Sequence, residues 1–431
     1  MNHMLHSGLH GFPFSIVVEK QSSPNLRKDR FPLRHGKYSE IRTQDFEFRF
    51  NLNGEIKTIR GLSPHWPHPA EELKRTDGND WMYYTVGDQS GDRGIISWLG
   101  EYYLPCLPYP SNSVWEVNYF ANPVIMNAFS AWSQLYADLY MAGKNTGLHS
   151  RAGELVERIM LNNDNVLHER ANQLHTIIGG QVSVLPPDTR HVDYEVIPLM
   201  IADGCLYHCK FCCVKTARKF QTRSKENISE QIRQLKSFYG RNMENYHALF
   251  LGNHDALASG AELICFAAEE ASAAFGFGKP QVGTPMLFLF GSIDSLLKAE
   301  DSLFEQLSRL PFYTHINIGF ESVDQSTLEL IGKPVDASTV LEAFRKMQHM
   351  NSLHTNIEIS GNFLLGEQLS GEHDRSLAEL LSEAKGSSHA KGTVYLSPMQ
   401  DNPKRRELLP RFYEIKSRSR LPVFVYLIQR L

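Results

Sequence analysis

Residues 196–213 read VIPLMIADGCLYHCKFCC, an apolar run that leads directly into four cysteines. The run over 196–201 predicts a buried strand, because it is short, continuous and bounded by turn residues. Cys205, Cys209 and Cys212 follow with a C-x3-C-x2-C spacing, just beyond the end of that strand. In α/β proteins the loops after the carboxyl ends of parallel strands carry the active site. We therefore expect the chemistry of this protein in the cysteine loop.

The rest of the chain after residue 190 alternates short apolar runs with amphipathic stretches. The predicted strands are 196–201, 248–251, 286–290, 316–318, 357–359 and 393–396. The predicted helices are 228–238, 261–275, 295–310, 338–350 and 374–384. This alternation implies a parallel sheet with right-handed crossovers. Six units are fewer than the eight of a closed barrel, so the expected fold is α/β, an open partial (β/α)6 barrel with an N-terminal mixed α/β extension.

Three parts of the chain are predicted. Residues 1–190 form an N-terminal mixed region that covers the barrel or recognises the substrate, 191–400 form the core, and 401–431 form a C-terminal extension. The sequence Pro-Pro-Asp at 186–188 marks the first boundary. The aromatic, proline-rich stretch 100–123 has two interpretations, an irregular loop that packs in the core or a wall that faces the substrate.

The three spaced cysteines suit an iron–sulfur cluster. Cys205, Cys209 and Cys212 can hold three irons of a [4Fe–4S] cube and leave the fourth iron open to a small molecule. A structural zinc site is normally closed by four ligands, often from two cysteine knuckles. The sequence has no second knuckle, but Cys213 or His208 is able to complete a zinc set, so zinc remains an alternative.

These features resemble the radical S-adenosylmethionine (SAM) enzymes, whose hallmark is C-x3-C-x2-C with an aromatic residue before the last cysteine. Phe211 occupies the aromatic position. The loop after the second strand contains Gly252, Asn253 and Asp255 where the family has its SAM-amino-group motif. Here Gly-Asn-His-Asp replaces the common Gly-Gly-Glu.

The resemblance continues along the core. Glu321 and Ser322 match the Gly-x-Glu-Ser sequence at the end of the family's fourth strand. The fifth strand is similar to the stretch that contacts adenine, where Asn362 and Leu364 are the expected contacts. The resemblance thus implies that SAM is bound by Phe211 and by these residues of the second, fourth and fifth strands. It covers roughly half of the chain and leaves the N-terminal region outside.

The resemblance also implies an activity. The expected cofactors are one [4Fe–4S] cluster and SAM, and the expected reaction is reductive cleavage of SAM to a 5′-deoxyadenosyl radical that abstracts hydrogen from a substrate. The enzyme class is oxidoreductase or transferase, and the expected partner is a one-electron donor such as flavodoxin or ferredoxin. The sequence assigns no further catalytic residue. A second alternative is an iron–sulfur electron carrier without SAM chemistry.

The composition excludes several other classes. Asp and Glu number 48 against 44 Lys and Arg, which does not indicate a nucleic-acid binder. No apolar run is long enough for a membrane span, and the first residues lack the pattern of a signal peptide, so the expected location is the cytoplasm. Six cysteines are too few for a disulfide scaffold in a chain of 431 residues. Neither a phosphate-binding loop nor a dinucleotide-binding motif is present.

Overall fold

The structure is a computed structural model that describes residues 7–8, 13–21, 36–62, 73–75, 82–84, 101–103, 123–145, 151–180, 182, 184–192, 196–207, 209–212, 218–252, 254–277, 284–384, 391–398 and 408–427. The strands are β1 Ser7–Gly8, β2 Ser15–Gln21, β3 Lys37–Arg42, β4 Phe46–Phe50, β5 Ile56–Gly61, β6 Leu73–Arg75, β7 Met82–Tyr84, β8 Glu101–Tyr103, β9 Ile197–Pro198, β10 Ala202–Asp203, β11 Gln221–Thr222, β12 Ala248–Phe250, β13 Met286–Gly291, β14 Tyr313–Glu321, β15 Ile357–Leu365, β16 Val394–Pro398 and β17 Val423–Leu427. The α-helices are α1 Pro123–Asn145, α2 Arg151–Met160, α3 Asp164–Ile178, α4 Lys225–Tyr239, α5 Gly260–Phe275, α6 Ile293–Lys298, α7 Asp301–Arg309, α8 Gln325–Ile331, α9 Ala337–Leu353, α10 Gly371–Glu383 and α11 Leu409–Arg418. Three 3-10 turns are Pro187–Val192, Gly240–Asn245 and Ala256–Ser259.

The main sheet has eight parallel strands in the order β8-β17-β16-β15-β14-β13-β12-β9. All six predicted strands are present, and helices connect them, which confirms the α/β parallel architecture. The two end strands of this order do not pair with each other among the described residues, so the sheet is open, as expected of a partial barrel.

Two strands of the sheet were not predicted. Val423–Leu427 lies in the predicted C-terminal extension and pairs with β16, and Glu101–Tyr103 lies in the predicted N-terminal region and pairs with β17. The first strand is shorter than predicted, with two residues. Pro198 lacks an amide hydrogen, which suits the edge of the sheet, and the chain leaves the sheet soon after it to form the cysteine loop.

Side chains of the central strands alternate between two faces of the sheet. Phe320 of β14 points outward and packs on Phe344 of α9, with ring centroids 5.8 Å apart. Asn317 lies on the opposite face and bonds Asn362 of β15 across the barrel interior. Successive residues of a strand face opposite sides of the sheet. The polar residues of β14 and β15 therefore lie on the same inner face as the last residues of β14.

The N-terminal region forms a separate antiparallel sheet, β1 to β7 in sequence order. Its core contains Phe48, Phe50 and Trp132 of α1. The sheet meets the barrel at α4 and the 3-10 turn that follows, where Asn53 Nδ2 donates to the Tyr239 carbonyl at 3.0 Å. A turn around residues 53–54 joins β4 to β5 as a hairpin, and residues 128–139 lie within α1.

The predicted boundary segment is buried rather than exposed. Leu185 belongs to the main hydrophobic core, and its carbonyl accepts a hydrogen bond of 2.6 Å from the Tyr426 hydroxyl. Asp188, two residues before the predicted boundary, is fully buried. The division into three parts stays a prediction, but the chain around 184–189 packs into the core. None of the described helices is long and apolar enough to cross a membrane.

Candidate active site

A short pair of antiparallel strands closes the base of the cysteine loop. β10 and β11 pair antiparallel, and Arg223, just after β11, grips Asp203 of β10 with two hydrogen bonds of 2.8 and 2.7 Å. This bidentate pair holds the pKa of Asp203 below its ordinary value. Gly204 has φ +78°, and a Cβ there would lie 2.3 Å from the Lys219 carbonyl oxygen. The loop therefore requires glycine at its entrance.

The described cysteines are thiols rather than disulfides. Cys209 is buried, whereas Cys205 and Cys212 are half-buried. Burial raises the pKa of the Cys205 and Cys209 thiols, and the positive charge of Lys333 opposes that rise at both. The Tyr207 amide donates to Cys205 Sγ at 3.4 Å. Cluster formation would supply the positive charge that stabilises the thiolates.

Two contacts fix the middle of the loop against the barrel. The Lys210 amide donates to the Ile331 carbonyl at the end of α8, at 2.9 Å. Phe211 is half-buried and packs on the main core. The aromatic residue of the motif thus anchors the loop in this structure, and its predicted contact with SAM stays a prediction.

The spacing of the thiols bears on the zinc alternative. Among the described residues, the three sulfur atoms do not form a group that lies within 4.8 Å of one another. Thiolates around one zinc ion are about 3.8 Å apart, since Zn–S bonds are about 2.3 Å long. In a four-iron cube each thiolate binds a different iron. A zinc ion would therefore require these three sulfur atoms to lie closer together than they do here. Cys213 and His208 lie outside the described residues.

The loop after β12 offers a carboxylate and an open approach. Asp255 is buried, and its Oδ1 accepts from the Ser292 amide at 3.1 Å. Its Oδ2 is also buried and has no hydrogen-bond partner within the described part of the chain. Gly252 has φ +91°, and a Cβ there would meet nothing closer than Met200 Sδ at 3.9 Å. A cationic group such as the SAM ammonium fits this place. Asn253 lies outside the described residues.

Asp255 is coupled to the cysteine loop. Burial raises its pKa, while the hydrogen bond from the Ser292 amide opposes that rise. Its charge in turn contributes to the raised pKa of Cys205. The ends of β9 and β12 therefore meet at one place, as the sequence predicts for neighbouring parallel strands.

Glu321 ends β14 in a strained conformation. Its φ is +69°, a region that residues other than glycine rarely adopt. Its carboxylate folds back over Gly319, where a Cβ would lie 2.5 Å from Glu321 Oε1. Lys333 Nζ lies 3.6 Å from the same oxygen. Such strain is retained where the surrounding structure holds it, often at functional sites.

Lys333 connects these groups. Burial raises the pKa of Glu321, and Lys333 opposes that rise. The Lys333 ammonium also lies 5.3 Å from the centre of the Tyr207 ring in the cysteine loop, a cation–π contact. Glu321 itself contributes to the raised pKa of Cys209. The structure thus brings together the cysteine loop, Asp255 and Glu321. Sequence reasoning did not assign Lys333 a role, although it directly follows the Gly332 of the family-like stretch.

Ser322 has a different environment from its neighbour. Its hydroxyl lies 2.7 Å from His373 Nδ1, and the other ring nitrogen, Nε2, lies 2.9 Å from the Leu364 carbonyl. His373 is buried at the start of α10 and so joins the ends of β14 and β15. Leu364 is buried, and Asn362 exchanges hydrogen bonds with Asn317 in the barrel interior. SAM contacts of Ser322, Asn362 and Leu364 stay predictions.

His373 is expected to make stability depend on pH. Nε2 faces the Leu364 carbonyl and therefore donates to it, and the ring is neutral when Nδ1 accepts from the Ser322 hydroxyl. Burial lowers the pKa of His373 below its ordinary value of 6.5. As the pH falls below about 6.5, His373 is therefore protonated in the unfolded chain before it is protonated in the folded chain. The free energy of unfolding decreases over this range, down to the pKa of the folded state.

Urea unfolding at pH 7.5 and 5.5 tests this. Between pH 7.5 and 5.5, the free energy of unfolding of wild type should fall by about 1 kcal/mol more than that of His373→Gln. His349→Gln, an exposed histidine on α9, is the matched control and should behave as wild type. Equal pH dependence of wild type and His373→Gln would contradict the neutral ring.

One segment of the chain matches a known protein family. Residues 199–381 match the sequence profile of the Radical SAM superfamily. No curated protein matches the chain significantly. Among solved structures, the chain is similar to a radical SAM methyltransferase from Sphaerobacter thermophilus, at 13% identity over 54% of this chain and 66% of that chain, with a TM-score of 0.38.

Two further solved structures are similar. The cobalamin-dependent SAM radical enzyme OxsB with aqua-cobalamin matches at 15% identity over 54% of this chain and 33% of its own, with a TM-score of 0.35. Streptococcus suis SuiB bound to SAM matches at 12% identity over 89% of this chain and 71% of its own, with a TM-score of 0.35. The matched part of this chain thus spans about two thirds of the length of the methyltransferase and a third of the length of OxsB. By the match over residues 199–381, the chain contains a domain of the Radical SAM superfamily.

Proposed function

We propose that this chain is a radical SAM enzyme that uses one [4Fe–4S] cluster, held by Cys205, Cys209 and Cys212. The observation that carries the proposal is the position of these thiols, on one loop at the carboxyl end of the first parallel strand, within the segment that matches the family. When bound, the cluster and SAM supply a one-electron cleavage of SAM to a 5′-deoxyadenosyl radical, which abstracts hydrogen from a substrate.

The residues of the chain orient and shield this chemistry. Asp255, with a buried carboxylate oxygen that lacks a partner among the described residues, accepts from the SAM ammonium. Glu321 accepts from the same cofactor, and Lys333, 3.6 Å from its Oε1, opposes the rise that burial causes in the pKa of its carboxyl group. Gly252 lets the cofactor approach the main chain. Burial around Cys209 keeps water from the cluster.

The deciding experiment is anaerobic reconstitution with iron and sulfide, followed by reduction in the presence of SAM. Liquid chromatography should detect 5′-deoxyadenosine in wild type and none in Cys205→Ala. Iron without 5′-deoxyadenosine would favour the electron carrier, and zinc in place of iron would favour the zinc site.

The partner we propose is a one-electron donor such as flavodoxin or ferredoxin, since radical SAM enzymes need a reductant. Lys210, Arg218 and Lys219 are exposed in or beside the cysteine loop and suit an acidic donor surface. Arg223 is different, because it is mostly buried in its pair with Asp203. It therefore belongs to the loop's structure rather than to a docking surface.

We also propose that the N-terminal region caps the barrel and contributes to substrate recognition. Arg223, at the base of the cysteine loop, donates to the Ile178 carbonyl at the end of α3, at 2.6 Å. Of the aromatic stretch 100–123, Trp115 and Tyr119 lie outside the described residues, and the described strand Glu101–Tyr103 contains Tyr102 and Tyr103.

Limited proteolysis tests the packed arrangement. Because residues 184–189 are buried, trypsin and thermolysin should not cut near Pro186 before they cut elsewhere. Mass spectrometry of the first fragments is the measurement. Rapid release of a soluble fragment 190–431 that cleaves SAM at the full rate and turns over substrate would overturn the cap.

A further inference from the structure

A second group of ligand-type side chains lies at the end of the barrel opposite the cysteines. His315 is the third residue of β14 and Glu358 is the second residue of β15, so both lie near the amino ends of their strands. Asp188 and His191 belong to the 3-10 turn Pro187–Val192, which precedes β9. Asp188, His315 and Glu358 are buried, and His191 is half-buried.

The distances in this group suit one metal ion. One ligand atom each from His191, His315 and Glu358 lies within 4.8 Å of the others. His315 Nδ1 is 3.8 Å from Glu358 Oε2 and 3.9 Å from Asp188 Oδ1. These separations are too long for hydrogen bonds. Ligand atoms around a tetrahedral zinc ion are about 3.4 Å apart, so these separations have to shorten by about 0.5 Å for the two His315 pairs and by up to about 1.4 Å within the group.

Hydrogen bonds aim both carboxylates. Glu358 Oε1 accepts from the Thr393 amide at 3.2 Å and from its hydroxyl at 2.8 Å, which leaves Oε2 toward His315. Asp188 Oδ2 accepts from Ser360 Oγ at 2.6 Å, and its Oδ1 accepts from the Tyr395 hydroxyl at 2.8 Å. Carboxylates that ligate metals are held in this way by an outer layer of hydrogen bonds.

The imidazole ring of His315 is also held in place. It stacks on Phe288 with ring centroids 5.2 Å apart, and on His191 at 4.9 Å. The nearby cation Lys391 is occupied elsewhere, because its ammonium donates to the carbonyls of Thr355 and Ile357 at 2.8 and 2.9 Å. Two imidazoles and the Glu358 carboxylate therefore lie together, with the oriented Asp188 carboxylate 3.9 Å from His315 Nδ1.

We propose that His191, His315 and Glu358, with Asp188, bind a divalent transition-metal ion, with zinc the best fit. Imidazole and carboxylate ligands suit zinc, and four protein ligands make a closed, structural site. The ion would join the turn that precedes β9 to β14 and β15, and so fix the start of the barrel. This site shares no residue with the cysteine loop and does not depend on the proposed function.

The test uses the full-length chain with Cys205, Cys209 and Cys212 all replaced by alanine, so that zinc cannot enter the cysteine loop. After addition of Zn²⁺ and dialysis, elemental analysis should find about one zinc per chain, as expected of a single closed site. His191→Gln in this background should lose most of that zinc. His349→Gln, which changes an exposed histidine, should retain it.

Co²⁺ gives a second readout on the same proteins. A tetrahedral site of nitrogen and oxygen ligands should show visible absorption without the intense sulfur charge-transfer bands that thiolate ligands produce, and His191→Gln should abolish it. Zinc that persists in His191→Gln, or sulfur bands that show binding at the remaining cysteines, would overturn the proposal.

A parallel measurement on the chain with intact cysteines guards against misfolding of the triple variant. Anaerobically purified protein should contain about one zinc besides its iron, and His191→Gln should lose the zinc while the iron stays. Absence of zinc from both proteins leaves His315 as a histidine between two carboxylates and refutes the metal site. Absence of iron instead refutes the proposed function alone.

Discussion

Replacement of Cys205, Cys209 or Cys212 by alanine should remove most of the iron from anaerobically purified protein. Wild type should carry about four irons per chain and be brown, as one [4Fe–4S] cluster requires. Each thiolate binds a different iron, so the loss of any one leaves the cube with two protein ligands. Iron analysis and the visible absorption spectrum are the measurements.

Two matched controls sharpen this result. Cys265→Ala changes a half-buried cysteine on α5 and should keep its iron. Cys213→Ala changes the cysteine adjacent to the motif, outside the described residues, and should also keep it, because the fourth iron has to stay open for SAM. If Cys213→Ala lost its iron as completely as Cys212→Ala, the open-iron interpretation would be wrong.

Glu321→Ala should weaken SAM binding roughly 10- to 100-fold, the range expected for loss of a hydrogen bond to a charged group. Its iron content should stay intact, because Glu321 lies on β14 and the cysteines follow β9. Equilibrium titration of the reconstituted protein with SAM is the measurement. Because Glu321 already has a strained φ of +69°, its replacement by alanine does not remove a favourable backbone conformation.

The control variants separate charge from fold. Glu329→Ala removes an exposed carboxylate on α8 and should leave SAM affinity unchanged. Glu321→Gln keeps the shape and removes the charge that faces Lys333, so it should fall between wild type and Glu321→Ala. An unchanged affinity in Glu321→Ala would refute the contact, whatever the iron content.

Much of the barrel could be predicted because its signals are local. The apolar runs that became β12 to β16 are short, buried on both faces and separated by helices with regular spacing. The cysteine motif is also local, since three ligands lie within eight residues of one loop. Short apolar runs that alternate with helical stretches in this way are recognisable as strands in the sequence.

What was missed depends on distant parts of the chain. The apolar run Val423–Leu427 lies in the predicted C-terminal extension, and its pairing with β16 and β8 makes it a strand of the core. Asp188 was interpreted as part of a boundary, but Tyr395 donates to it at 2.8 Å from 207 residues away. Contacts at such separations leave no periodic pattern in the sequence.

The pairing of the last strand has a consequence for synthesis. The hydrogen bond from Tyr426 to Leu185 spans 241 residues, and β17 also pairs with β8 near residue 101. Neither can form until residues 423–427 have left the ribosome. Contacts of such high sequence separation slow folding, and they expose unpaired strand edges in the meantime. The cysteine loop is therefore translated, and open to oxidation, well before the barrel that is to protect it can be completed.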